Sequence, residues 1–140
     1  MRTDDDLGYL LANVSRRFNG RLVARFAEAG HPDVRASYGA VLMPLFQHGD
    51  LRIGDLAARA GLSKQSLTGL VRECEAAGLV ERRRDPEDGR AFRVRLTRGG
   101  RRFQRVAEDV LGDLDSEVAA RLGRPDRDAL ITALKGLMDL

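Results

Sequence analysis

Ile53–Thr97 reads IGDLAARAGLSKQSLTGLVRECEAAGLVERRRDPEDGRAFRVRLT. Ile53, Leu56 and Ala57 put an apolar stripe on a short helix ending near Ala60, and Gly61 supplies the left-handed conformation that closes it. Leu62 is expected to plug into the core. Ser63 is a good N-cap for a second helix, on which Leu67, Leu70, Val71 and Cys74 share a face and which Gly78 terminates. Leu79–Arg84 and Arg90–Thr97 then read as strands joined by the turn formers Asp85 to Gly89. Helix, tight turn, helix and Arg-studded hairpin is the order of a winged helix-turn-helix, a device that sets one helix in the major groove of DNA.

The outer face of the second helix separates function from mere solvation. A surface helix usually carries long Glu and Lys side chains outside. Here the first two turns offer Ser63, Lys64, Gln65, Ser66, Thr68 and Gly69, with Arg72 a turn later and no acid to repel phosphate. Short side chains let a helix sink into the groove, and Gln, Ser and Thr can meet base edges. In the hairpin, Phe92, Val94 and Leu96 alternate with Arg93 and Arg95, predicting one buried and one cationic face. Arg84 and Arg90 stand near its tip, where arginine can enter the narrow minor groove. Asp88, two residues before Arg90, is expected to hold that guanidinium by a paired hydrogen bond.

Outward from this stretch the chain is helical. Leu7, Leu10, Leu11, Val14, Phe18, Leu22 and Phe26 recur at steps of three and four and predict an amphipathic helix over Leu7–Ala29. Asp4 to Asp6 suit its N-terminal end, and Gly30 with Pro32 stops it. Such a long first helix carries more apolar face than a small core covers, and a second subunit is one way to bury the excess. A second helix is expected from Val34 or Arg35 to about Gln47, with Pro44 inside it at a cost of ~3 kcal/mol unless neighbours compensate. Leu51–Ile53 could add a short strand beside the hairpin. Thr97 can cap a long helix reaching about Leu122, its first turn weakened by Gly99 and Gly100. Arg124-Pro125-Asp126 breaks it, and Asp126 is expected to cap a last helix bearing Leu130, Ile131, Leu134, Leu137 and Met138.

Composition sets the outer bounds. At 140 residues and 43% hydrophobic, one domain with a real core is the expectation. No apolar run approaches the roughly 18 residues of a membrane span, and Met1–Asp6 is no signal-peptide start, so the expected location is the cytoplasm. A single cysteine agrees with a reducing compartment. The net charge is only +3, but Glu81–Arg102 holds nine Arg against four acids. That local basic stripe is the footprint expected of a nucleic-acid surface.

On LAARAGLSKQSLTGLV (Leu56–Val71) and GLVERRRDPEDGRAFRVRLT (Gly78–Thr97), in this helix order, the chain resembles the MarR (multiple antibiotic resistance regulator) family of bacterial transcription factors. The resemblance spans nearly the whole chain. It implies a mainly α fold with a small β-hairpin wing: a winged helix-turn-helix core over about 34–97, flanked by dimerisation helices over about 5–30 and 98–140, as one domain over 1–140. It also implies a homodimer on a pseudopalindromic double-stranded DNA operator, usually as a repressor. The helix from Ser63 would enter the major groove, Asp88-Gly89-Arg90 would be the wing's D-x-R motif, and Arg90 the minor-groove arginine. The DNA-contacting set expected from both readings is Ser63, Lys64, Gln65, Ser66, Thr68, Arg72, Arg84, Asp88 and Arg90. Many members release DNA when a small aromatic or anionic molecule binds between the dimer helices and the DNA-binding lobe.

The departures are specific. Gly89 stands where Arg is frequent, Cys74 where a core Leu is common, and neither the N-terminal cysteine of the peroxide-sensing subgroup nor any Trp is present. Tyr9, Phe18, Tyr38, Met43 and Phe46 could line a pocket, although their helical spacing reads first as core. An enzyme finds little support, because His31 and His48 lie apart in loops and no nucleophile motif occurs. No cofactor and no His/Cys/carboxylate cluster at metal-ligand spacing is expected. The alternative kept is a winged helix used for protein contact without DNA, which the shortage of aromatic anchors on the polar face disfavours.

Overall fold

The computed structural model describes residues 2–140; Met1, where the Met1–Asp6 reading starts, lies outside them. The chain runs α1 (Leu7–Glu28), α2 (Gly39–His48), β1 (Asp50–Arg52), α3 (Ile53–Ala60), α4 (Lys64–Ala76), β2 (Val80–Arg84), β3 (Phe92–Leu96), α5 (Arg98–Leu122) and α6 (Arg124–Gly136). The three strands form one antiparallel sheet in the order β1-β3-β2. It is a mainly helical fold with a small winged sheet, as expected.

Local chemistry explains most boundaries. Asp6 caps α1 by accepting a hydrogen bond from the Tyr9 amide at 2.9 Å. Ser63 does the same for α4 through the Ser66 amide, and Thr97 for α5 through the Gly100 amide, each at 3.0 Å. Gly61 adopts φ +65° between α3 and α4, the one turn the helix-turn-helix depends on.

Several expectations shift. Arg35 is extended, so α2 begins only after a 3-10 turn over Ala36–Tyr38. The short strand is Asp50–Arg52, because Ile53 is already the first residue of α3. The last helix starts at Arg124 with Pro125 in its first turn; the break comes from Gly123 at φ +86°, and Asp126 lies inside the helix. Leu62 remains 39% exposed, since its amide closes the α3 end on the Ala57 carbonyl while its side chain stays at the turn's surface.

The core gathers Phe26 of α1, Val41, Leu42 and Leu45 of α2, Leu56 of α3, Leu67, Val71 and Cys74 of α4, Val94 of β3 and Phe103 of α5. Phe103 is its hub: its ring meets Phe26 and His31 edge-on, each at 4.9 Å between centroids. His31 therefore serves packing at the end of α1.

Gly99 and Gly100 are the price of a close crossing. A Cβ on Gly100 would overlap the Leu79 carbonyl, and one on Gly99 would stand 2.9 Å from the Gly78 carbonyl oxygen. Thr97 Oγ1 also donates to that Gly78 carbonyl at 2.6 Å. The start of α5 is thus locked onto the α4–β2 turn, which ties the long helix to the winged module.

Candidate nucleic-acid interface

The polar face of α4 divides into committed and free side chains. The Ser63 hydroxyl accepts from the Ser66 amide and donates to the Ser66 hydroxyl at 2.9 Å, so both serines build the cap. Thr68 Oγ1 donates to the Lys64 carbonyl at 2.7 Å and is half-buried. Lys64, Gln65 and Arg72 are exposed and have no side-chain partner among the described residues. Gln65 and Arg72 lie seven residues apart, on one side of the helix.

The wing tip is held by its own backbone. The Glu87 amide donates to Asp85 Oδ1 at 2.9 Å and the Arg90 amide to Asp88 Oδ1 at 3.0 Å, two successive Asx turns. Arg84 Nη1 donates to the Gly89 carbonyl at 2.8 Å, and the Asp85 amide to the Ala91 carbonyl at 2.9 Å. The expected grip of Asp88 on the Arg90 guanidinium is therefore corrected. Asp88 holds the Arg90 amide, and Arg90 Nε stands 4.0 Å from the carboxylate with its side chain 98% exposed.

Phe92 is also corrected. It is 38% exposed rather than buried, because β3 has passed the edge of the core there, and Arg82 and Arg84 stand over its ring at 5.9 and 5.7 Å.

The cationic stripe is narrower than its arginine count. Arg82 pairs with Glu75 of α4 at 2.8 Å, Arg83 and Arg93 with Asp50 at 2.6 and 2.7 Å, and Arg95 with Glu81. Arg84, Arg98, Arg101 and Arg102 have no carboxylate within 4 Å among the described residues, and Arg90 has only Asp88, at 4.0 Å. Of these, Arg84 and Arg90 belong to the tip. The other three lie in the first turns of α5, so the free arginines form two groups, one at the wing tip and one at the start of α5.

Sequence reasoning missed the acids that hold the wing's base. The sequence offered no role for Asp50 in the wing and read Asp85 only as a turn former. Asp85 is instead the one buried charged residue among those described, its side chain 2% exposed and 2.6 Å from Arg52 Nε. The Glu87 amide, with Arg52 and Arg93 nearby, keeps its carboxyl below the usual range despite burial. For Asp50, burial pushes upward, but hydrogen bonds from Arg93 and Arg83 outweigh it and leave the carboxyl lowered. A run of arginines on facing strands was the available signal, since like charges abreast need counter-ions.

Above the winged module, α1, α2 and α5 border an open, almost wholly apolar cavity of about 150 Å³, lined by Leu22, Phe26, Tyr38, Met43, Phe46 and Phe103. Arg35 also reaches it, and its guanidinium meets Glu73 of α4 at 3.3 Å. Of the five aromatic and methionine side chains picked from the sequence, Tyr38, Met43 and Phe46 line this cavity. Phe18 lines a separate depression between α1 and α5, and Tyr9 lies exposed on α1. No helix described is long and apolar enough to cross a membrane.

Known proteins share this arrangement. A family model described as "MarR family" matches residues 35–91. The HTH-type transcriptional repressor Rv2887 of Mycobacterium tuberculosis is 31% identical over 124 residues, 89% of this chain and 87% of that protein. The transcriptional repressor CouR, solved on a 23-mer DNA duplex, superposes with a TM-score of 0.83 at 24% identity, over 96% of this chain and 93% of that one. A cysteine-to-serine mutant of MarR from E. coli, complexed with operator DNA, superposes with a TM-score of 0.80 at 24% identity, over 94% and 92%. The chain belongs to the MarR family of transcriptional regulators.

Proposed function

We propose that the chain is a sequence-specific DNA-binding repressor that acts as a homodimer on a pseudopalindromic operator. One observation carries the reading: the chain presents Gln65, Lys64 and Arg72 without side-chain partners on one helix, and an almost fully exposed Arg90 on a neighbouring rigid tip. A groove-reading helix and a minor-groove arginine are the two parts a winged helix needs. Ser63, Ser66 and Thr68 shape the helix start, Arg84 fixes the tip, and Asp88 forms the turn that presents Arg90. CouR and the E. coli mutant, both solved on DNA, lend the same fold to that use.

Dimerisation has support in the exposed apolar surface. Leu7, Leu10, Leu11 and Val14 of α1, with Leu122 of α5, Leu130 and Leu134 of α6 and Leu137 just beyond it, all stand open in the single chain. Burying the half or so of each side chain that is still exposed is worth about 1 kcal/mol apiece, so such a set on each of two protomers offsets an association cost of roughly 4–15 kcal/mol. The terminal helices, about 5–30 and 98–140, are accordingly the dimer arms of a single 1–140 unit, and 34–97 is its DNA lobe. Rv2887, named a repressor, supports that sign of regulation. The cavity has room for about one aromatic ring, and Arg35 beside it suits a carboxylate. A ligand drawing Arg35 from Glu73 would act on α4 directly. Work on DNA and a single reduced thiol accord with the cytoplasm.

The test is selection from a randomised duplex pool with the purified protein, followed by hydroxyl-radical footprinting on the winner. Two protected half-sites with a two-fold relation, about one helical turn apart, are expected. Recovery of no common sequence would overturn the reading.

A further inference from the structure

The strand register sets three arginines abreast. Arg52 of β1 faces Arg93 of β3, which on its other side faces Arg83 of β2. Three like charges in a row across a sheet repel one another. Two aspartates interleave them. Asp50 accepts from Arg83 Nη2 at 2.6 Å and from Arg93 Nε at 2.7 Å. Asp85 stands 3.7 Å from Arg93 Nη1 and 2.6 Å from Arg52 Nε, and Arg52 Nη2 continues to Glu87 of the tip loop at 3.8 Å. The result is an alternating ladder, Arg83–Asp50–Arg93–Asp85–Arg52, from one edge of the sheet to the other.

Its members belong to different parts of the module. β1 runs straight into α3 at Ile53 and so moves with the helix-turn-helix, whereas Asp85 lies where β2 leaves the sheet for the tip. β1 touches β3 over only three residue pairs, too short a backbone ladder to fix the twist of the hairpin alone. The buried Asp85 also accepts the Glu87 amide, so one carboxylate joins β1, β3 and the turn that leads to Arg90.

We propose that Asp85, seconded by Asp50, is the positioning residue of the DNA contact: it fixes the angle between wing and helix-turn-helix so that Arg90 reaches the minor groove while α4 occupies the major groove. This rests on the DNA-binding reading above. Asp85 touches no DNA; it acts through Arg52 and Arg93.

Asp85→Asn tests the idea, because the amide oxygen can still accept from Glu87 while the charge facing the arginines is gone. Affinities of wild type, Asp85→Asn, Arg90→Ala and the double variant are measured on the selected duplex and on duplexes altered at single positions. Arg90→Ala should cost about 5- to 150-fold. Asp85→Asn should cost a similar factor, relax preference at the flanking positions and leave preference at the α4 positions intact. The double variant should be no weaker than Arg90→Ala alone. Unchanged affinity in Asp85→Asn, or losses that multiply in the double variant, would overturn the proposal. If Arg90→Ala itself costs nothing, the wing reading fails and the ladder's role falls with it, an outcome distinct from failure of the ladder alone. Should Asp85→Asn not fold, Asp50→Asn cuts the same ladder at its more exposed end, and the same comparison decides.

Discussion

Cys74 sits among Leu67, Val71 and the rest of the core with no solvent contact. Burial, aided by the nearby Glu73 charge, pushes its thiol up to about 12. The native state thus holds the proton where an exposed thiol would lose it, so this contribution to stability is full below the ordinary thiol range and erodes as pH rises through it. At pH 8 iodoacetamide should label Cys74 in the native protein only at the rate of opening; labelling as fast as a free thiol would show the site to be accessible. The sequence supported this reading, since Cys74 falls on the apolar stripe of α4. For Asp88 and Asp85 the sequence misled: which atom a short carboxylate holds depends on turn geometry that composition does not carry.

At the scale of elements, α3, the turn at Gly61, α4 and the hairpin were legible within a few residues, because their signals are local caps and periodicities. What lay beyond reach was contact between distant segments. The ion ladder needs the register of β1 on β3, more than forty residues apart in the chain. Gly99 and Gly100 looked like weak spots in α5 until the Gly78 and Leu79 carbonyls were seen beneath them. Gly100→Ala should therefore destabilise, despite its better helix propensity, by on the order of 3 kcal/mol or more in denaturant unfolding; a stabilised variant would refute the crossing. The wing makes a second claim. Asp50 and Asp85 titrate below the ordinary carboxylate range, so their pairing is intact above it and fails only as pH falls through the lowered values. Hydrogen exchange of the wing amides, corrected for intrinsic rates, should be unchanged from pH 7 to pH 5, and protection already lost by pH 5 would contradict the ladder.

For the whole molecule, the proposed function depends on two copies. A single chain leaves the first turns of α1 and much of α6 with open leucines, while Arg25 and Arg21 pair with Glu117, and Arg127 with Asp115, to hold α1, α5 and α6 together. Leu134→Arg on this surface should shift sedimentation toward the monomer and weaken binding to a two-half-site duplex far more than to one half-site. A variant still dimeric at micromolar concentration would move the interface elsewhere. The central claim, that the wing tip and α4 together grip DNA, is tested most directly by affinity for the selected duplex against salt. The expected result is a log–log slope of about −0.9 per phosphate neutralised, a loss of about a thousandfold or more between 50 and 200 mM for a dimer with six or more contacts, and much weaker binding to a scrambled duplex. A flat salt response, or equal affinity for both duplexes, would contradict that claim and leave a winged helix that contacts protein.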